Sequence, residues 1–152
     1  MQQKNKLSLS VQYPDARLKD IVTRSQIRRW VQAALLAPAE LTIRFVDADE
    51  GRILNRDYRG KDYATNVLTF AYTEYEDSEV TQADIILCTD VLQREALEQQ
   101  KSVEAHAAHL VVHGVLHAQG YDHENDDDAV EMEQLEIDVL ARLGEANPYT
   151  TS

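Results

Sequence analysis

A single α+β domain, with a small mixed four-stranded sheet packed by about five helices, is the fold the sequence predicts. Stretches of period-two alternation and short apolar runs are interleaved with helical periodicity in the order β-α-β-α-β-β-α-α-α. The chain has 152 residues, 43% hydrophobic and 28% charged, with few Gly and Pro, which suits one ordinary globular domain. No repeat, low-complexity tract or linker divides it. Residues 1–152 therefore read as one unit, with a tail from about 144 to 152 expected to fray.

The elements follow in order. Leu7 to Tyr13 alternates apolar and polar residues, a half-buried strand closed by Pro14. Ser25 is placed to cap a helix from Gln26 to about Leu36, with Ile27, Trp30, Val31, Ala34 and Leu35 on one face and Pro38 as its stop. Leu41 to Val46 is a second strand. Asp47 and Glu50 form a capping-box pair that opens a helix through Tyr58, with Ile53 and Leu54 inward. Arg59 to Thr65 is a loop by its glycine and charges. Asn66 to Tyr72 reads as a short, largely buried strand, Glu74 to Glu79 as an acidic, mobile connection, and Ala83 to Cys88 as a fourth strand. Thr89 caps a helix ending near Gln99, and Ser102 caps the next, from Val103 to about Gln119. Asn125 or Asp126 caps a last helix to Leu143, whose stripe is Met132, Leu135, Val139, Leu140 and Leu143. Asp126, Asp127 and Asp128 sit where the helix dipole favours negative charge, and Gly144 and Pro148 end the element.

Composition limits the partners. No apolar run approaches the ~20 residues that span a bilayer, and the N-terminus lacks the apolar core of a signal peptide. The lone Cys88 forbids an internal disulfide, fits a reducing cytosol, and reads as a small buried hydrophobe. A cytoplasmic location with no membrane contact is the expectation. The net charge of −12 is unevenly spread: residues 1–62 hold 12 Lys and Arg against 8 Asp and Glu, and residues 63–152 hold 3 against 19. The first half can present a basic face to a polyanion, or these can be solvated surface charges.

The chemistry is concentrated between His113 and His123. His113 and His117 are four residues apart, and four helical residues turn the chain ~400° and lift it ~6 Å. Both imidazoles then leave one face, near enough to reach one ion at ~2.0–2.1 Å. Gly120 follows where a left-handed residue ends a helix, and the returning chain can present His123 as a third nitrogen ligand. Three neutral imidazoles with an open position describe a catalytic zinc site. His109, one turn before His113, is either a support for the ligands or a packed core histidine; His106 reads as surface. A zincin protease would carry Glu, its general base, directly after the first His. Here that residue is Gly114, which leaves room beside the metal for a bulkier group such as a phosphate. Peptide hydrolysis is disfavoured unless Asp122 or an acid near Asp126 serves as base.

The run His113-Gly-Val-Leu-His117-Ala-Gln-Gly120-Tyr121-Asp122-His123 resembles the signature of the bacterial YbeY family of single-strand endoribonucleases. Leu54 to Asp62, then Thr65-Asn66-Val67-Leu68-Thr69-Phe70, resembles a second block, and Ala83 to Asp90 a third. The resemblance spans roughly residues 40–143, and Asn66 stands where the family has Asp or Asn. It implies a zincin-like α+β fold and one Zn2+ held by His113, His117 and His123. It also implies a catalytic role for Arg59, and an activity in maturing the 3′ end of 16S rRNA and in ribosome quality control. Implied partners are single-stranded RNA, small-subunit rRNA, the small ribosomal subunit with its protein S11, and an Era-type GTPase. Arg59 suits a phosphate because its planar fork donates two hydrogen bonds at once, and Lys61 adds a point charge for substrate binding. A metalloprotease and a non-catalytic zinc-containing ribosome-assembly factor are the alternatives; structural zinc usually takes four protein ligands, and the sequence offers three obvious ones.

Overall fold

The computed structural model describes residues 6–72, 80–121 and 125–149. Its elements are β1 (Leu7–Gln12), α1 (Arg24–Ala34), β2 (Ala39–Val46), α2 (Ala48–Arg59), β3 (Val67–Ala71), β4 (Thr81–Cys88), α3 (Thr89–Glu98), α4 (Val103–Ala118) and α5 (Asp126–Arg142). The predicted order is thus observed, and the four strands form one mixed sheet in the order β1-β2-β4-β3. The first three are parallel neighbours, whereas β3 runs antiparallel to β4 on the sheet's edge. The expected acidic connection from Glu74 to Glu79 lies outside the described residues.

Side-chain alternation sends the two faces of the sheet to different layers. Leu41, Ile43 and Phe45 of β2 and Ala83, Ile85 and Leu87 of β4 meet α1, α4 and α5 in the main core. On the opposite face Val46, Leu68 and Ile86 form a smaller cluster, closed by Leu54 of α2 and Phe70 of β3. Helix α4 is the buried centre of the domain, packed against α1, α3, α5, β3 and β4. Val111, Val115 and Leu116 are fully enclosed there, each worth about 1.5–3 kcal/mol of burial. A helix surrounded in this way is apolar over most of its circumference, which is why the histidine-bearing segment shows little amphipathic pattern.

Several local readings are corrected. Helix α1 starts earlier than expected, because Thr23 and Gln26 form the capping box: the Thr23 oxygen accepts from the Gln26 N–H and Gln26 Oε1 accepts from the Thr23 N–H. It also stops at Ala34, well before Pro38, because Gln119 of α4's end intervenes. Gln119 Nε2 donates to the Ala34 carbonyl at 2.9 Å and its Oε1 accepts from the Leu36 N–H at 2.8 Å. Asp47 caps α2, but Glu50 reaches to Arg44 and no reciprocal capping bond forms among the described residues. Ile53 is exposed, since α2 turns Gly51 and Asn55 inward and packs Leu54 on the smaller cluster. Strand β3 is half-exposed, with Leu68 alone buried, as befits an edge. Cys88 is a buried free thiol, as expected, and burial pushes its pKa up.

The junctions that place α2 are tied by charge. Asp90 at the start of α3 accepts from the Ala48 N–H (2.7 Å) and from Arg17 (2.7 Å), linking the β2–α2 and β4–α3 turns. At its far end α2 closes on Gly60, whose φ of +71° only glycine adopts cheaply. Buried Asn55 then donates to the Tyr63 carbonyl at 2.7 Å, holding the following loop against the helix. Beyond Gly144, where the chain is described, it folds back so that the Tyr149 hydroxyl donates to Glu136 of α5.

Candidate active site

His113 and His117 leave α4 on one face, their rings nearly parallel at 10° with centroids 6.4 Å apart. They line a cleft of about 740 Å3 together with Tyr58 and Arg59 from the end of α2 and Asn66 to Phe70 on and before β3. Such a volume lies within the ~300–1,000 Å3 of ligand-binding clefts. The edge strand, the end of α2 and the histidine face of α4 thus converge, and Arg59 is brought into the same cleft as both imidazoles. Arg59 makes no ion pair among the described residues, whereas its neighbours Arg52 and Arg56 pair with Asp62 and Asp57. Lys61 is exposed and stands outside the residues that line the cleft. His123 and Asp122 lie outside the described residues.

Each imidazole is fixed from behind. His113 Nδ1 lies 3.0 Å from Glu136 Oε1, and His117 Nδ1 lies 2.9 Å from the Tyr121 carbonyl. Glu136 is almost wholly buried, and that burial works against its charge. The hydrogen bonds from His109, His113 and Tyr149 outweigh burial and hold its pKa at about 2. An ionised carboxylate and a peptide carbonyl accept and never donate, so both rings donate through Nδ1–H. A ring that donates from Nδ1 keeps Nε2 as its coordinating nitrogen, the arrangement in which such an imidazole binds a divalent ion. Two matched imidazoles with oxygen acceptors behind them fit a zinc ion, with His113 and His117 as residues that could hold it.

The Tyr121 carbonyl is placed by the end of α4. The Tyr121 N–H bonds the Leu116 carbonyl (3.2 Å) and the Gly120 N–H bonds the His117 carbonyl (3.0 Å), a Schellman turn. It depends on Gly120, whose φ is +104°. The glycine anticipated in the sequence thus also positions the carbonyl that meets His117. Gly114 does something other than expected. A Cβ there would lie 2.8 Å from Ile85 Cγ2, so the position is closed by the sheet and leaves no room for substrate. Glycine lets α4 approach β4 closely.

Two polar residues were misjudged or missed. Glu136 is absent from the residues that the sequence marks for the site, although it falls on the apolar stripe of α5 four residues from both Met132 and Leu140; a lone acid among buried positions is the available signal. Besides His113 it accepts from His109 Nε2 at 3.1 Å and from the Tyr149 hydroxyl at 2.7 Å, so His109 supports the site through the carboxylate. Burial, and then Glu136, pushes the Tyr149 hydroxyl pKa up. His106 is buried, contrary to its surface reading, and bonds Glu95 at 2.9 Å; burial lowers its pKa. Glu95 also accepts from Asn66 Nδ2 at 3.1 Å, which ties the cleft's rim to α3.

The protein is thus an α+β domain whose cleft is lined by both imidazoles and by Arg59, which makes no ion pair among the described residues. A family model described as endoribonuclease YbeY matches residues 3–144. A protein named endoribonuclease YbeY from Janthinobacterium sp. (strain Marseille) is 78% identical over 149 residues, spanning 98% of both chains. Another of that name from Herminiimonas arsenicoxydans is 70% identical over 152 residues, spanning 97% of both. The chain belongs to the endoribonuclease YbeY family. The solution structure of a Thermotoga maritima protein, 22% identical, shares the fold with a TM-score of 0.55 over 94% of this chain and 99% of that one.

Proposed function

We propose that this protein is a zinc-dependent endoribonuclease that cuts single-stranded RNA at the cleft between α2, β3 and α4. The observation that carries the reading is that His113 and His117, each with its Nδ1 proton committed to a fixed acceptor, share one cleft with Arg59. His113, His117 and His123 would hold one Zn2+, which when bound supplies Lewis-acid polarisation of a phosphoryl oxygen. Arg59 grips the non-bridging oxygens of the scissile phosphate and offsets charge that builds up as the phosphorus–oxygen bond breaks. Glu136 and the Tyr121 carbonyl keep both rings in one tautomer throughout. Lys61, outside the cleft lining, serves as a more distant charge for the RNA chain. Water as nucleophile leaves 5′-phosphate ends, whereas the substrate's own 2′-hydroxyl leaves a 2′,3′-cyclic phosphate.

The family likeness supports a finer assignment: maturation of the 3′ end of 16S rRNA and ribosome quality control in the cytoplasm. The proposed partners are the small ribosomal subunit, its protein S11 and an Era-type GTPase. No helix among the described residues is long and apolar enough to cross a membrane. The test uses single-stranded RNA, duplex RNA and casein with wild type and Arg59→Ala. The expected result is cleavage of single strands alone, lost in Arg59→Ala while its zinc content is unchanged. Cleavage of casein, or undiminished RNA cleavage by Arg59→Ala, contradicts the reading.

A further inference from the structure

The aromatic residues of the cleft have no part in the chemistry above. Tyr58 stands directly before Arg59 on the last turn of α2, and its ring meets Phe70 of β3 edge to face, centroids 5.1 Å apart and planes at 65°. Phe70 is itself packed against the small cluster of Val46, Leu68 and Ile86, so the contact anchors Tyr58 to the sheet. Yet Tyr58 leaves 69% of its surface to solvent. Among the described residues the exposed tyrosines are 58, 63, 72 and 149, and the first three all lie on α2's end, the loop after it, or the end of β3. Of these, Tyr58 is the one that lines the cleft holding Arg59 and the imidazoles.

We propose that Tyr58, buttressed by Phe70, is the stacking platform for one unpaired nucleobase next to the phosphate that Arg59 holds. Every base has a π-face that stacks on an aromatic ring without regard to sequence, and an adjacent cation binds the backbone. In a duplex that face is covered by neighbouring base pairs, so a ring fixed at the cleft discriminates for single strands. The inference rests on the RNA-cleaving reading and assigns its substrate a subsite.

The test is steady-state cleavage of a single-stranded RNA octamer, and of a set of octamers each lacking one base, by wild type, Tyr58→Ala, Tyr58→Phe and Tyr58→Trp. Tyr58→Ala is expected to raise KM by ~5- to 100-fold, the range of losses for one stacked base, with kcat and the thermal midpoint held. Phe and Trp restore KM. One abasic octamer should show the loss already in wild type and no further loss in Tyr58→Ala. An unchanged KM in Tyr58→Ala, or an equal loss on every abasic octamer, overturns the subsite while leaving the endoribonuclease reading intact. A wild-type protein inert toward all these RNAs would overturn that reading, and the subsite with it.

Discussion

Replacing Glu136 by Gln tests whether the buried carboxylate tunes the histidine centre or merely fills space. Three donors converge on it: His109 and His113 at Oε1 and Tyr149 at Oε2. Gln keeps the shape and one accepting oxygen but removes the charge. If that oxygen faces the imidazoles, both bonds survive as neutral ones of about half the strength, while the amide turns a donor toward Tyr149, whose hydroxyl can rotate to accept. Loss of charge assistance is offset in part because a charge no longer has to be buried, so the thermal midpoint should move by only a few degrees, since about 1 kcal/mol shifts a domain of this size by ~2–4 °C. Metal affinity should fall ~10–100-fold, as is usual when a group orienting a ligand histidine is changed. Glu136→Ala would remove the shared acceptor of His109, His113 and Tyr149 and open a cavity beside them, at about 1–3 kcal/mol for each donor left unpaired away from water. Zinc competition against a chromophoric chelator, beside thermal unfolding of the metal-free protein, measures both effects, and nitrogen NMR of the imidazoles reports the His113 tautomer. Wild-type zinc affinity in Glu136→Gln, with Nδ1 of His113 shown to carry no proton, would refute the reasoning.

Two further substitutions follow from the same geometry. Gly114→Ala should destabilise despite alanine's ~1 kcal/mol helical advantage, because crowding against Ile85 costs about 1–3 kcal/mol; in an Ile85→Ala background the penalty should disappear, which a double-mutant cycle of unfolding free energies checks. Gly120→Ala places a Cβ at a φ of +104°; it should cost about 1–3 kcal/mol of strain and lower zinc affinity as the Tyr121 carbonyl shifts from His117, read by the same chelator competition.

How much of this was legible in the sequence depends on how local the cause was. The cap at Ser102, the turn at Gly120 and the placing of His113 and His117 on one helix face depend on neighbours within a few residues and are legible directly. The last helix's cap is narrowed to Asn125 or Asp126, of which the structure uses Asn125. Cys88 was legible as core because it ends an apolar run. Distances along the chain hid the rest. Glu136 acts on residues 23 and 27 positions away, and the buried His106 finds its hydrogen-bond partner in Glu95 on the preceding helix. Helical period alone places Ile53 inward with Leu54, but the face of α2 that is covered is the one bearing Gly51 and Asn55, which is set by what the helix packs on. Gly114 shows the limit most plainly: the sequence marks the missing side chain, while Ile85 of β4 decides what the gap is for.

The most direct measurement is zinc content and single-stranded RNA cleavage on one preparation, wild type beside His117→Ala, each before and after chelation and zinc readdition. The account predicts about one zinc per wild-type chain, cleavage that vanishes on chelation and returns with zinc, and a folded His117→Ala that holds little metal and cuts nothing. Full cleavage by wild type verified free of metal would contradict it.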